Sequence, residues 1–151
     1  MPAQPAKAVS PQARIRARRS AVQAYYQWLI NNQPMADIIK EFVADRQELK
    51  KADLDYFHDL LQGMNTHSSE LETMLVPLLD RPLKEISPVE HSVLKLGLYE
   101  LMHHPELPWR VILNEAVELA KMFGAEQSHR YINNVLDRAA RQVRAVEITG
   151  T

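Results

Sequence analysis

The chain is 151 residues long, 46% hydrophobic and 25% charged, with a formal net charge of −1, a balance that suits one globular domain with a real core and excludes a disordered chain. It contains no cysteine, which excludes disulfides, thiolate metal sites and a cysteine nucleophile. No apolar run approaches the roughly 20 residues of a membrane span, and the N-terminus lacks the apolar core of a signal peptide, so a cytoplasmic protein without membrane contact is expected.

Residues 1–10 are small, proline-containing and without periodicity, and read as a loose tail. Ser10 followed by Pro11 is an N-cap and first-turn pair that starts a helix. Ile15, Val22, Tyr26 and Leu29 fall on its apolar arc, and Asn31 to Pro34 ends it. A second helix is expected from about Met35 to Ala44. Asp53 caps a third, carried by Leu54, Phe57, Leu60, Leu61 and Met64, with Gly63 tolerated inside and a bend near Asn65 before the pattern resumes at Leu71. Ser87-Pro88-Val89-Glu90 is a capping box with proline at the first position. It opens a helix to about His103 whose apolar residues go nearly all round, marking a central, buried pillar. After Pro105 and Pro108 a helix spans about Trp109 to Phe123, with Ile112, Ala116, Leu119 and Phe123 inward and Gly124 as its C-terminal stop. Ser128 is expected to cap the last helix, whose inward stripe is Ile132, Val135, Leu136, Ala139 and Val143. Residues 147–151 read as a second loose tail, leaving a folded unit over 11–146. Only four glycines, no alternating strand pattern and no repeat point to an all-α domain, a compact bundle of six or seven helices.

The near-neutral total hides a segregated charge. Residues 1–36 hold Lys7, Arg14, Arg16, Arg18 and Arg19 and no acid, so they carry +5 and the remainder −6. A solvated basic helix end would explain this, but planar guanidinium groups also fork onto phosphates and stack on bases. On the last helix Arg130, Asn134, Arg138 and Arg141 share the face opposite the core stripe, with Tyr131 at its edge. Cations beside an exposed ring suit single-stranded RNA, with phosphates on the arginines and a base on the tyrosine. Tyr26 lies within the apolar arc, where packing and base stacking are both open. Glu115 sits between Val111, Leu119 and Met122, and a buried ion pair or hydrogen bond explains it better than a catalytic base. His103 and His104 are adjacent and cannot ligate one ion as an i, i+4 pair would, and the other histidines are scattered. No HExxH, EF-hand, GxSxG, Walker or GxGxxG motif occurs, so neither an active site, a cofactor, a metal nor a small-molecule substrate is expected.

Four stretches, ARRSAVQAYYQW (17–28), DYFHDLLQGM (55–64), SPVEHSVLKLGLYEL (87–101) and VILNEAVELAKMFGAEQSHRYINNVLD (111–137), make the chain resemble the NusB family of bacterial transcription antitermination factors. The resemblance covers nearly everything but the two tails. It implies two packed helical sub-bundles. It implies a non-enzymatic factor that binds the boxA element of nascent RNA with ribosomal protein S10 (NusE), in a complex with other Nus factors that keeps RNA polymerase elongating through rRNA operons. Carried onto this sequence, it places RNA contacts at Arg14, Arg16, Arg18, Arg19, Tyr26 and Tyr131, which the basic face of the last helix extends to Arg130, Asn134 and Arg138. It also brings Glu90 into the S10-binding region. Ile15 interrupts the basic run where many relatives keep Arg, and Asn134 stands where the family usually has Gly. A NusB-like domain also occurs fused to rRNA cytosine methyltransferases, so an accessory role in rRNA modification is the rival reading; a purely structural helical module would leave the basic pole unused.

Overall fold

In the computed structural model the described residues are 10–45, 47–124 and 127–150, and they form helices and no strand. Eight α-helices follow in order: α1 (Pro11–Asn31), α2 (Met35–Asp45), α3 (Leu54–Thr66), α4 (Ser68–Leu75), α5 (Pro88–His103), α6 (Trp109–Phe123), α7 (Ser128–Val143) and α8 (Ala145–Thr149), with short 3-10 turns at Gln47–Lys51, Val76–Leu78 and Leu83–Glu85. The expected all-α bundle is what forms, and its extra helices arise from the α3/α4 break at His67 and from α8. None of the described helices is long and apolar enough to cross a membrane.

Most boundaries follow from local chemistry. Ser10 accepts a hydrogen bond from the Ala13 amide at 3.1 Å, with Pro11 in the first turn. At the other end Asn32 takes the left-handed conformation (φ 54°) and donates its amide to the Trp28 carbonyl. Asp53 caps α3 through the Tyr56 amide, and Ser87 caps α5 through the Glu90 amide, its hydroxyl also donating to the Glu90 carboxylate. Two expected stops differ. Ser128 is the first residue of α7 and not its cap, since Gln127 holds that place without a side-chain bond. Gly124 ends α6 at φ −101°, outside the left-handed region; a Cβ there would lie 2.8 Å from the Ala120 carbonyl oxygen, so close backbone approach is what the glycine allows.

α5 is the pillar: every residue from Ser92 to Leu101 is buried. α1 and α3 pack on one side of it and α6 and α7 on the other. α1 runs antiparallel to α5, because Arg18 meets Glu100 while Tyr25, seven residues on, meets Lys95. α7 runs parallel to α5, because Arg144 at its end donates to the carbonyls of Leu101, Leu107 and His104 at 2.8–2.9 Å. That guanidinium thus satisfies the orphan acceptors at the end of α5 and complements the negative pole of its dipole.

The inward face of α1 is not the expected one. Ala17, Ala21, Ala24 and Tyr25 are fully buried, whereas of the predicted arc only Val22 is; Ile15 and Leu29 are half-buried and Tyr26 is 38% exposed. Small alanines let the helix approach α5 closely, and the Tyr25 hydroxyl is satisfied there by Lys95 Nζ at 2.9 Å. On α6 the expected stripe of Ile112, Ala116 and Leu119 is buried, but Val111 and Met122 face outward, so Glu115 is half-buried at the margin of the stripe, where its charge acts on the buried Arg18. The expected C-terminal tail is partly helical. Glu147 of α8 accepts from the Trp109 amide and from Arg144, and Ile148 packs on the core, which gives that last turn partners the sequence pattern does not display. The expected N-terminal tail lies, apart from Ser10, outside the described residues.

Candidate nucleic-acid interface

The four arginines at the start of α1 diverge. Arg18 is only 4% exposed, and its Nε donates to Glu100 at 2.9 Å while the Tyr56 hydroxyl donates to the same carboxylate. Burial pushes the Glu100 carboxyl up, against the pull of the Arg18 guanidinium and the Tyr56 hydroxyl. Arg18 is therefore a core counter-ion, a correction to its expected place on an RNA-facing surface: a carboxylate buried on α5 needs a cation, and α1 supplies it. Arg14 is half exposed, lies over the Tyr56 ring at 4.9 Å and is 3.9 Å from Asp53. Arg19 pairs with Glu48 at 3.2 Å. Arg16 has no acidic partner among the described residues, which leaves it the most available cation of the group.

The second half of the expected surface sits at the start of α7. Arg130 and Asn134 are exposed, and Tyr131 is half-buried with its hydroxyl accepting from the Asp80 amide at 3.3 Å. Arg81 lies over the Tyr131 ring at 5.1 Å and is held by Asp80 at 2.8 Å. Sequence reasoning missed Arg81, which lies in a loop fifty residues away from its ring and carries no pattern of its own. Arg138 is exposed yet ties its guanidinium to the Leu78 carbonyl, so it fastens α7 to the 3-10 turn Val76–Leu78 while keeping its charge at the surface. Arg141 is paired with Asp137 one turn earlier.

These halves are not adjacent. Arg14 to Arg19 lie at the C-terminal end of α5, whereas Tyr131, thirteen residues before Arg144 on a helix parallel to α5, lies roughly 20 Å away along that axis. Tyr26 lies on the wall of an open cleft of about 510 Å³ with Val22, Ile30, Val89 and Phe123, a cleft that none of these arginines lines. Half-buried Glu90 follows Val89 directly and also acts at a distance on Arg81. The surface is thus a long one: cations at one end, a ring with a stacked arginine towards the other, and an apolar cleft beside a carboxylate.

The sequence profile of the NusB family matches residues 15–141. The chain is similar to the transcription antitermination protein NusB of Xylella fastidiosa (strain 9a5c), 46% identical over 142 residues that span 94% of this chain and 90% of that protein. It is also similar to that of Nitrosococcus oceani, 47% identical over 134 residues and 89% of each chain. Among solved structures it superposes on NusB of T. maritima with a TM-score of 0.72 at 28% identity, over 85% of this chain and 91% of that one. A structure of the antitermination factors NusB and NusE with dsRNA gives a TM-score of 0.77 at 20% identity, over 88% and 99% of the two chains, a likeness of fold.

Proposed function

The chain belongs to the NusB family, and from that premise we propose that it is a transcription antitermination factor that works without catalysis, binding the boxA element of nascent rRNA-operon RNA together with ribosomal protein S10 (NusE). The observation that carries this reading is identity of 46–47% across about nine-tenths of the chain to proteins named for that role. Such a protein acts where transcription does, in the cytoplasm, and reaches other Nus factors and RNA polymerase through the shared complex.

The site residues take distinct parts. Arg14, Arg16 and Arg19 at one end, and Arg130 and Arg138 at the other, supply the salt-dependent attraction for phosphates. Tyr131 offers a ring face for a base, with Arg81 beside it and Asn134 on the next turn as a polar contact. Glu90 and the cleft beside it suit S10 better than RNA, because apolar walls next to a carboxylate repel phosphate and accept side chains; Tyr26, expected to contact RNA, is proposed on this partner side. Support for an accessory role in rRNA modification is thinner, since no geometry among the described residues resembles a cofactor loop.

A fluorescence titration with boxA RNA and a scrambled control, with and without S10 and at two salt concentrations, tests the proposal. Preference for boxA that S10 strengthens is the expected result. Equal, weak binding to both RNAs with S10 present would overturn it.

A further inference from the structure

The break between α3 and α4 brings His67 against the last turn of α5, where its ring stacks on that of His103 with centroids 4.0 Å apart and planes at 26°. Glu70, in the first turn of α4, reaches both: one carboxylate oxygen is 2.9 Å from His103 Nε2 and the other 3.5 Å from His67 Nδ1. One donor atom from each of the three residues can be chosen so that all lie within 4.8 Å of one another.

We propose that His67, Glu70 and His103 form a binding site for a late first-row divalent ion of the zinc class. Zinc bonds to imidazole nitrogen and carboxylate oxygen are about 2.0–2.2 Å, so a tetrahedral site holds its donor atoms about 3.3–3.5 Å apart. The Glu70 carboxylate reaches His103 with one oxygen and His67 with the other, and with a single oxygen as donor the three ligand atoms lie within 4.8 Å, a spacing that small side-chain rotations can tighten. The site closes when the imidazoles turn out of their stack so that both lone pairs aim at one point. All three side chains are 26–46% exposed, so this is rotation at a surface and requires no shift of the core. Two imidazoles and a carboxylate favour zinc, nickel or copper over magnesium and calcium, which prefer all-oxygen sets. Exposure leaves the fourth position to water.

The surroundings favour these three residues over their neighbours. Tyr99 stacks on both rings, at 6.2 Å from His67 and 5.2 Å from His103, and its hydroxyl donates to Asp59 at 2.9 Å, which gives the site a fixed back wall. His104 has both ring nitrogens engaged already, one by Glu106 and the other by Asp59. Each histidine must offer a free lone pair to the ion, so a doubly protonated ring has to lose a proton before it can bind, and uptake strengthens as pH rises. The ion would pin the α3/α4 break to the end of α5, a role independent of the RNA reading.

Calorimetric titration of the metal-stripped full chain with zinc chloride at neutral pH tests the site. One equivalent is expected, with affinity lowered about tenfold or more by H67Q and by H103Q and unchanged by H58Q, and with magnesium in excess failing to compete. Circular dichroism without metal verifies that each variant folds. No zinc uptake by the wild type, uptake that neither H67Q nor H103Q weakens, or displacement by magnesium would overturn the proposal.

Discussion

Residues two apart on a helix point to nearly opposite sides, so Arg16 and Arg18 cannot serve one surface, and burial decides which of them faces a ligand. Replacing Arg18 or Glu100 alone by Ala leaves the other charge uncompensated in the core and should cost about 3–5 kcal/mol, read as a lower urea midpoint. Exchanging both for apolar residues of similar volume, Arg18→Met with Glu100→Leu, should recover most of that loss. Arg16→Ala should leave stability within about 0.5 kcal/mol, as surface changes do. His91 tests a different residue-level effect. Burial, with Lys95 nearby, holds its imidazole down from 6.5 to about 4, while Glu72 pulls weakly the other way and the Tyr25 ring meets it edge-on. The unfolded chain then binds the proton more readily than the folded one, so the stability this neutral histidine carries is full above pH 6.5 and is lost as pH falls from 6.5 towards 4. The effect is at most about 3 kcal/mol. Urea titrations at pH 7 and pH 4.5 should show His91→Leu losing less stability over that interval than the wild type.

At the scale of elements, contacts between helices rest on missing side chains as much as on present ones. A Cβ at Gly63 of α3 would sit 2.1–2.4 Å from the ring and hydroxyl of Tyr99 of α5, a hydroxyl that Asp59 of α3 holds in place. Ala at an open helical position gains about 1 kcal/mol over Gly, yet Gly63→Ala should lower stability by about 1–3 kcal/mol through overpacking, measured by thermal or urea unfolding. Adding Tyr99→Leu should remove much of the conflict. This explains what was legible in the sequence. Caps are local, so Ser10, Asp53 and Ser87 announce their helices, and the unbroken apolar surface of α5 announces its burial. Inter-helix fit is not local. The alanines of α1 carry little hydrophobic signal beside Ile15, Tyr26 and Leu29, yet only small residues permit the close packing observed. The helicity of α8 was hidden because its partners, Trp109 and Arg144, come from α6 and from the end of α7.

Across the whole molecule, the basic pole and the aromatic on the last helix were readable as residue types, but the distance between them was not, since it depends on α1 running antiparallel and α7 parallel to α5. The same topology hid Arg18's counter-ion and joined His67 to His103. A site stretched over roughly 20 Å makes a specific demand on how RNA binds, because contacts that far apart without shared partners act independently. In boxA titrations with S10 present, Arg16→Ala should flatten the salt dependence of log K by about 0.7 per log unit of salt, the loss of one phosphate contact on a single strand. Tyr131→Ala should cost about 1–3 kcal/mol and leave that slope unchanged, because stacking releases no counter-ion. The double variant should then lose the sum of the two effects to within about 0.5 kcal/mol. Coupling well above that would mean that one compact pocket engages both residues, against an extended path for the strand. A loss in Tyr131→Ala that disappears when the RNA is shortened from one end, while the Arg16→Ala slope change persists, would fix which end of the strand lies on α7.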